Sequence, residues 1–246
     1  MLSFIVPAHN EEHELPGSLS SIRAAAEASG QPFEIIVADD ASTDATAEVA
    51  RAAGAVVVPV NYRQIAAVRN AGARASRGDV LFFVDADTLI SPEHVTDALD
   101  ALTAGCVGGG ARVVPEGYVP RWGRLFVQIF SFFYFTLARL GAGAFLFTTR
   151  RNFEAIGGFD EQFFAGEEVF FTRALKKRGS FKLLRRPIVT SGRKLRMYSG
   201  RYFLGRSFAL LAGGIRGMRS RDKLDIWYDG KRETRTRGRV SESVPG

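Results

Sequence analysis

The sequence predicts an α/β fold: a mostly parallel sheet flanked by helices, with a helical and basic C-terminal extension. Three observations carry this expectation. Short apolar runs alternate with helical patterns through the N-terminal part of the chain, as right-handed βαβ units do. The runs are close to continuously apolar rather than alternating, which fits strands covered by helices on both faces. Polar and acidic residues gather directly after the runs, where an open parallel sheet binds its ligands. With 46% hydrophobic and 11% aromatic residues among 246, the chain can build a sizeable core, which argues against overall disorder. The simplest division is one domain over 1 to 220 and a basic tail over 221 to 246.

Element by element, "LSFIVP" (2 to 7) is a strand closed by Pro7. Asn10 is the expected N-cap of the following helix, with Glu11, Glu12 and Glu14 suited to its positive end and Leu15, Leu19 and Ile22 at core spacing. "FEIIVA" (33 to 38) is the second strand, and Ser42, Thr43 or Asp44 caps the next helix, which stops at Gly54. "AVVVPV" is a third strand, a helix follows near 64 to 76, and "DVLFFV" is a fourth strand. Beyond 104 the alternation loosens. "GCVGGGARVVP" reads as a glycine-interrupted strand, 120 to 140 as an apolar helix and "GAFLFTT" as a strand. "RRNFEAIGGFDE" reads as a short helix with a glycine stop, and "EEVFFTRALKKRG" as a helix with basic residues and Gly179 at its end. "FKLLRRPIVTSG" supplies one or two short strands.

Cys106 is the one cysteine, so an intrachain disulfide and a cysteine zinc cluster are excluded, and a reducing, cytoplasmic compartment fits. The N-terminus lacks a basic region followed by a long apolar one, so no secretory signal is expected. The longest apolar stretch, "LFVQIFSFFYFTLA" (125 to 138), is short for a membrane span and is broken by Gln128 and Ser131. A buried core helix is the first reading, and a membrane-surface or lipid-acceptor contact the second. Residues 193 to 239 carry 14 Lys/Arg against 4 Asp/Glu, so the basic excess of this +7 chain is C-terminal. That segment suits phosphates or an anionic membrane face, or is solvated surface.

Three predicted strand ends carry acids: Glu11, then Asp39 and Asp40, then Asp85 and Asp87. Carboxylates that converge repel one another, so a pocket this acidic implies a cation or several ligand donors. The three histidines have no paired helical spacing, and carboxylate oxygens favour a hard cation, Mg²⁺ or Mn²⁺, of the kind that bridges carboxylates to phosphates. Asp85 and Asp87 acting as a turn residue and a cap near Pro92 is the plain alternative. The chain has no P-loop, no dinucleotide glycine fingerprint after the first strand and no Gly-x-Ser-x-Gly elbow, which disfavours those enzyme classes.

Taken together and in order, "FIVPAHNEE", "IIVADDASTDAT", "RNAGARASRGDVLFFVDAD", "GGFDE" and "GEEVFFTRALKKRG" resemble family 2 glycosyltransferases, which have the GT-A fold. The resemblance covers about residues 2 to 180. It implies a UDP- or GDP-linked sugar as donor and a glycan, lipid or small molecule as acceptor. It implies Pro7, Ala8 and Glu11 around base and ribose, Asp40 accepting a hydrogen bond from the base with Asp39 beside it, and Arg69 near the nucleotide unless it is an ordinary helix-surface arginine. It further implies Asp85 facing ribose or metal, Asp87 on the metal at the diphosphate, and Ala86 small enough for the nucleotide to approach the backbone.

Two departures stand out. The family's usual Glu-Asp is here Glu167-Glu168, so the matching base is Glu168, with Glu167 as its competitor. The Gln-x-x-Arg-Trp of the processive synthases is missing, and Arg193, Lys194 and Arg196 of "SGRKLR" are candidates for neutralising the diphosphate. Asp160 of "GGFDE" either binds an acceptor hydroxyl or stabilises a turn. The implied reaction is an inverting transfer, with Glu168 taking the acceptor proton. The competing class is a non-catalytic basic module for an anionic membrane or nucleic acid. The enzyme reading expects no nucleic acid, but peripheral contact at the inner face of the cytoplasmic membrane.

Overall fold

The computed structural model describes residues 1–118, 120–192 and 205, with the backbone alone for 126 and 130. The expected tail, and Arg193, Lys194 and Arg196, lie outside the described residues. The described chain forms β1 (Leu2–Ala8), α1 (Leu15–Ala28), β2 (Phe33–Asp40), α2 (Thr46–Ala52), β3 (Val56–Val60), α3 (Ile65–Ala75) and β4 (Val80–Val84). There follow β5 (Thr88–Leu89), α4 (Pro92–Thr103), β6 (Gly108–Glu116), α5 (Arg121–Ser131) running into a π-helical turn (Phe132–Leu137), β7 (Phe145–Thr149), α6 (Arg150–Ala155), α7 (Glu167–Lys176) and β8 (Phe181–Ser191).

The strands make an eight-stranded sheet in the order β3-β2-β1-β4-β7-β6-β8-β5. β1, β2, β3 and β4 are parallel, as the alternation predicts. The sheet stays mostly parallel, because β6 and β8 also pair parallel, but it is mixed: β7 runs antiparallel to both β4 and β6, and β5 antiparallel to β8. This reversal matters for the site. The register Val84↔Phe145 sets the start of β7 beside the carboxyl end of β4, so residues 141–144 lie against Asp85. Triglycine 108–110 permits the crossing: a Cβ at Gly109 would collide with the Phe147 ring and the Lys182 carbonyl.

Successive residues of β4 face opposite sides, so the sheet builds two cores. Phe82 stacks on Phe4 at 4.8 Å with Val37, Phe145 and Phe147 around them, while Phe83 packs edge-on to Phe159 at 4.9 Å with Ile5, Phe153 and Phe171. Pro187 has no N–H to give a ladder, and it sits in a break of the β6–β8 register, where Leu184 pairs with Ala111 and Ile188 with Val113.

The loops correct three expectations. Helix α1 starts at Leu15, with Glu14 at the cap and no acid in its first turn. Asn10 instead joins the loop after β1 to the loop after β2: its N–H donates to the Ser42 hydroxyl at 2.9 Å and its Oδ1 accepts from the Thr43 N–H at 2.8 Å. Asp44 braces the start of α2 by accepting from the Thr46 N–H, but the capping residue is Ala45. Asp87 does not cap α4, because Ser91 does, in a capping box with His94.

Ala41 follows β2 at φ 53°, a left-handed conformation that an L-residue occupies at a cost. Ala41→Gly relieves that strain and is expected to raise stability by about 0.5–1 kcal/mol, read as a higher urea midpoint at unchanged m-value.

Candidate functional site

The site is built where β4 ends. Helix α3 packs on the sheet so closely that a Cβ at Gly72 would meet Ile5 Cγ2 at 2.5 Å, and this sends Arg69 along the sheet toward the carboxyl edge. Arg69 is 2% exposed, which excludes the helix-surface alternative. Its Nη2 donates to Asp85 Oδ1 at 2.8 Å and to the Gly143 carbonyl at 3.0 Å, and its Nη1 donates to Glu167 Oε1 at 2.6 Å. Phe159 lies under the guanidinium at 5.3 Å. One cation therefore ties the end of β4, the entry to β7 and the first turn of α7. Gly143 is needed at this crossing, since a Cβ there would stand 3.1 Å from Arg69 Nη2.

Burial works against the charge of Arg69, but Asp85 and Glu167 more than offset it and hold its pKa above the usual value. Burial in the cleft raises Asp85 above the usual carboxylate range, and Arg69 opposes that rise. The Asp85 side chain is 33% exposed, so it remains reachable by a ligand, whereas Glu167 at 7% is committed to Arg69. Next to it, Glu168 is part-exposed. Burial first, and then the adjacent charge of Glu167, push its carboxyl up to about 8. The Tyr134 hydroxyl lies 3.1 Å from Glu168 Oε1 and 3.1 Å from the Gly141 carbonyl, so its single proton has two acceptors.

Asp87 stands two residues after Asp85, inside the turn closed by the Thr88 N–H on the Asp85 carbonyl, against the far end of β8. Its Oδ1 accepts from the Thr190 hydroxyl at 3.1 Å, and its carbonyl accepts from the Ser191 N–H. Ala86, between the two acids, is 4% exposed and packs into the core, so its backbone is what it offers to the cleft. Among the described residues no group of three or more His, Cys, Asp or Glu stands together as a ready metal cage. The carboxylates of Asp85 and Asp87 are hard oxygen donors, the type that suits Mg²⁺ or Mn²⁺, ions that dehydrate reluctantly and complete their shells with water and substrate phosphate.

On the neighbouring strands, the register Ala8↔Asp39 aligns the ends of β1 and β2. Pro7 and Ala8 are buried in the strand, and Glu11 is part-exposed at the mouth. Asp39 Oδ1 accepts from the Ser42 N–H at 3.4 Å. Asp40 is 6% exposed, and its Oδ1 accepts from the N–H groups of Tyr62 and Arg63 at 2.7 and 3.0 Å. It thus shapes the loop after β3. Asp160 is placed apart from Asp85 and Glu168, in an open groove of about 640 Å³ with Asn70, Arg74 and Phe159. Its Oδ1 accepts from the Gln162 N–H at 3.0 Å, the turn-stabilising alternative. Asn70 fixes this loop by donating to the Phe159 carbonyl and to Glu161, and by accepting from the Phe159 N–H.

Sequence reasoning missed Tyr134 and Gly143. Tyr134 was legible only as the one hydroxyl-bearing ring in a run of phenylalanines. Gly143 gave no signal before β7 was known to run antiparallel. Tyr134→Phe removes a hydrogen bond that favours the charged form of Glu168, so that carboxyl is expected to titrate at still higher pH. The acid limb of a kcat/KM profile reads this shift.

A parallel β1–β4 sheet with carboxylates at its carboxyl edge, continued by a mixed half entered through the reversed β7, defines the GT-A class of nucleotide-dependent transferases. The chain belongs to that class through glycosyl transferase family 2, whose family model, described as "Glycosyl transferase family 2", matches residues 3–155. It is 36% identical over 113 residues to an undecaprenyl-phosphate 4-deoxy-4-formamido-L-arabinose transferase of Pseudomonas paraeruginosa (strain DSM 24068 / PA7), covering 43% of this chain and 33% of that protein. The chain thus spans about a third of the length of the curated relatives it matches. Among solved structures it is similar to S. aureus TarS 1-349, with TM-score 0.61 and 19% identity over 87% of this chain and 65% of that one. It is also similar to mannosyl-3-phosphoglycerate synthase from Rubrobacter xylanophilus, with TM-score 0.61 and 20% identity over 91% and 75%. A third is the mannosyltransferase PcManGT from Pyrobaculum calidifontis in complex with GDP-Man and Mn²⁺, with TM-score 0.58 and 23% identity over 77% and 56%.

Proposed function

We propose that the chain transfers a sugar from a UDP- or GDP-linked donor to an acceptor hydroxyl, with inversion at the anomeric carbon. The observation that carries this reading is the Arg69 bridge, which holds Asp85, Glu167 and the start of α7 in one cleft with Glu168 beside them. Pro7, Ala8, Glu11, Asp39 and Asp40 lie on the side assigned to base and ribose. Asp85 and Asp87 would hold a Mg²⁺ or Mn²⁺ ion, which when bound offsets the charge of the diphosphate leaving group. Arg69 keeps Asp85 and Glu167 oriented. Glu168 takes the acceptor proton, and a carboxyl that titrates near 8 is poised for that task. The cleft aligns donor and acceptor and so removes part of the entropic cost of their encounter.

The curated relative named above is by its name an undecaprenyl-phosphate 4-deoxy-4-formamido-L-arabinose transferase, which supports acceptor access at a membrane. We place the protein in peripheral contact with the inner face of the cytoplasmic membrane. Asp160, and Arg193, Lys194 and Arg196, remain candidates on the acceptor and diphosphate side.

Thermal-shift measurements across UDP- and GDP-sugars, with and without Mn²⁺, test the donor. A ligand that binds the folded state raises Tm by mass action, so one nucleotide sugar is expected to raise it in a metal-dependent way. No shift with any of them would contradict the proposal.

A further inference from the structure

Of the two readings of residues 125 to 138, buried core helix and membrane-surface contact, the first does not hold for much of α5 and the π turn. Leu125, Ile129, Phe132, Phe133 and Leu137 stand in solvent, with Leu137 70% exposed. Their spacings of three and four residues put them on one face of the element. Phe135 and Leu140 are buried beneath it, and Lys176 Nζ donates to the Ala138 carbonyl at 3.0 Å, so the element is fastened to α7 with its apolar face turned outward. An apolar face of this extent on a folded chain marks an interaction surface.

Charge indicates the partner. Residues 117 to 153 contain arginines at 121, 124, 139, 150 and 151 and neither aspartate nor glutamate. Arg121, Arg124 and Arg139 are exposed. An apolar face rimmed by arginine and free of acids is the composition of helices that lie in the headgroup layer of an anionic bilayer. A second copy of the chain would instead bring like charges together. No described helix is long and apolar enough to cross a membrane, so the fit is to a surface.

We propose that the face made by Leu125, Ile129, Phe132, Phe133 and Leu137 inserts shallowly into an anionic bilayer. This deepens the peripheral-membrane part of the function proposed above and rests on it for its purpose. The Tyr134 hydroxyl, on the same element, reaches Glu168, so docking sets the bilayer on the acceptor side of the base.

Co-sedimentation of the full chain with vesicles is the test, using phosphatidylcholine alone or mixed with phosphatidylglycerol. Wild type is expected to bind the mixed vesicles and to bind pure phosphatidylcholine weakly. The triple variant Leu125→Ser, Phe132→Ser, Phe133→Ser is expected to lose binding about tenfold or more. Arg121→Gln with Arg124→Gln should lose the preference for the anionic lipid. An unchanged Tm in each variant reports that it folds. Wild-type binding by the triple variant would overturn the proposal, including the case in which residues 193 to 239 carry the contact alone. So would a wild-type dimer that the triple variant dissociates. The assay contains no sugar and no metal, so a protein that binds vesicles but no nucleotide sugar refutes the transferase reading and leaves the docking face standing.

Discussion

Glu168→Gln is expected to lower sugar transfer by about 10²- to 10⁴-fold while donor binding stays intact. The amide keeps the shape of the side chain and loses the ability to take a proton. Glu167→Gln is expected to act differently, because Glu167 is engaged with Arg69 at 2.6 Å and its loss disturbs that bridge. Comparing the two variants for donor binding and turnover separates base from brace. Stability gives a second readout. A folded-state carboxyl raised to about 8 stays protonated where the unfolded chain has already ionised, above about pH 4.3. Wild type therefore loses stability as pH rises from that value through about 8. Glu168→Gln removes the titration, so its Tm should gain on wild type between pH 5 and 9. A constant difference over that range would show that Glu168 is not perturbed.

Arg69→Met is expected to cost about 3–5 kcal/mol of folding stability, the range for breaking a buried pair by removing one partner. The cost falls mainly on Glu167, which is 7% exposed and has no water to turn to, and less on Asp85, which at 33% exposure can rehydrate. Arg69→Lys should recover only part, because one ammonium cannot reproduce a planar fork that meets two carboxylates and a carbonyl. Adding Glu167→Gln to Arg69→Met should restore stability without restoring transfer. Urea midpoints of the three variants check this order.

The N-terminal half of the fold was legible because β1, β2 and β4 are built on nearly continuous apolar runs, and polar residues that define the cleft follow directly at their carboxyl ends. The mixed half around β7 was less legible. β7 and β8 read as strands, but nothing local in "GAFLFTT" fixes its direction, which is set by pairing with β4 and β6. Asn10 misled in the same way. As a short polar residue before acids it has the pattern of a cap, and in the fold its side chain spends its hydrogen bond on a loop 33 residues away. The aromatic run at 130–135 reads as core by composition, and only the structure shows how much of it faces outward.

The cluster at the end of β4 was legible in type more than in geometry. "DAD" after an apolar strand announced a charged site, and Glu167-Glu168 announced the start of α7. That Arg69 joins Asp85 to Glu167 could not be read from residues 16 and 98 positions apart. It follows from α3 lying flat on the sheet, which a glycine one turn later permits.

On the proposed function, the cleft holds a nucleotide sugar through Asp85, Asp87 and a divalent cation. Calorimetric titration of the donor found by thermal shift, with and without Mn²⁺, tests it on wild type and Asp87→Ala. Wild type should bind the donor tightly with Mn²⁺ and about tenfold or more weakly without it, and Asp87→Ala should show the weak binding in both conditions. Equal donor affinity for the two proteins, unaffected by Mn²⁺, would contradict the assignment.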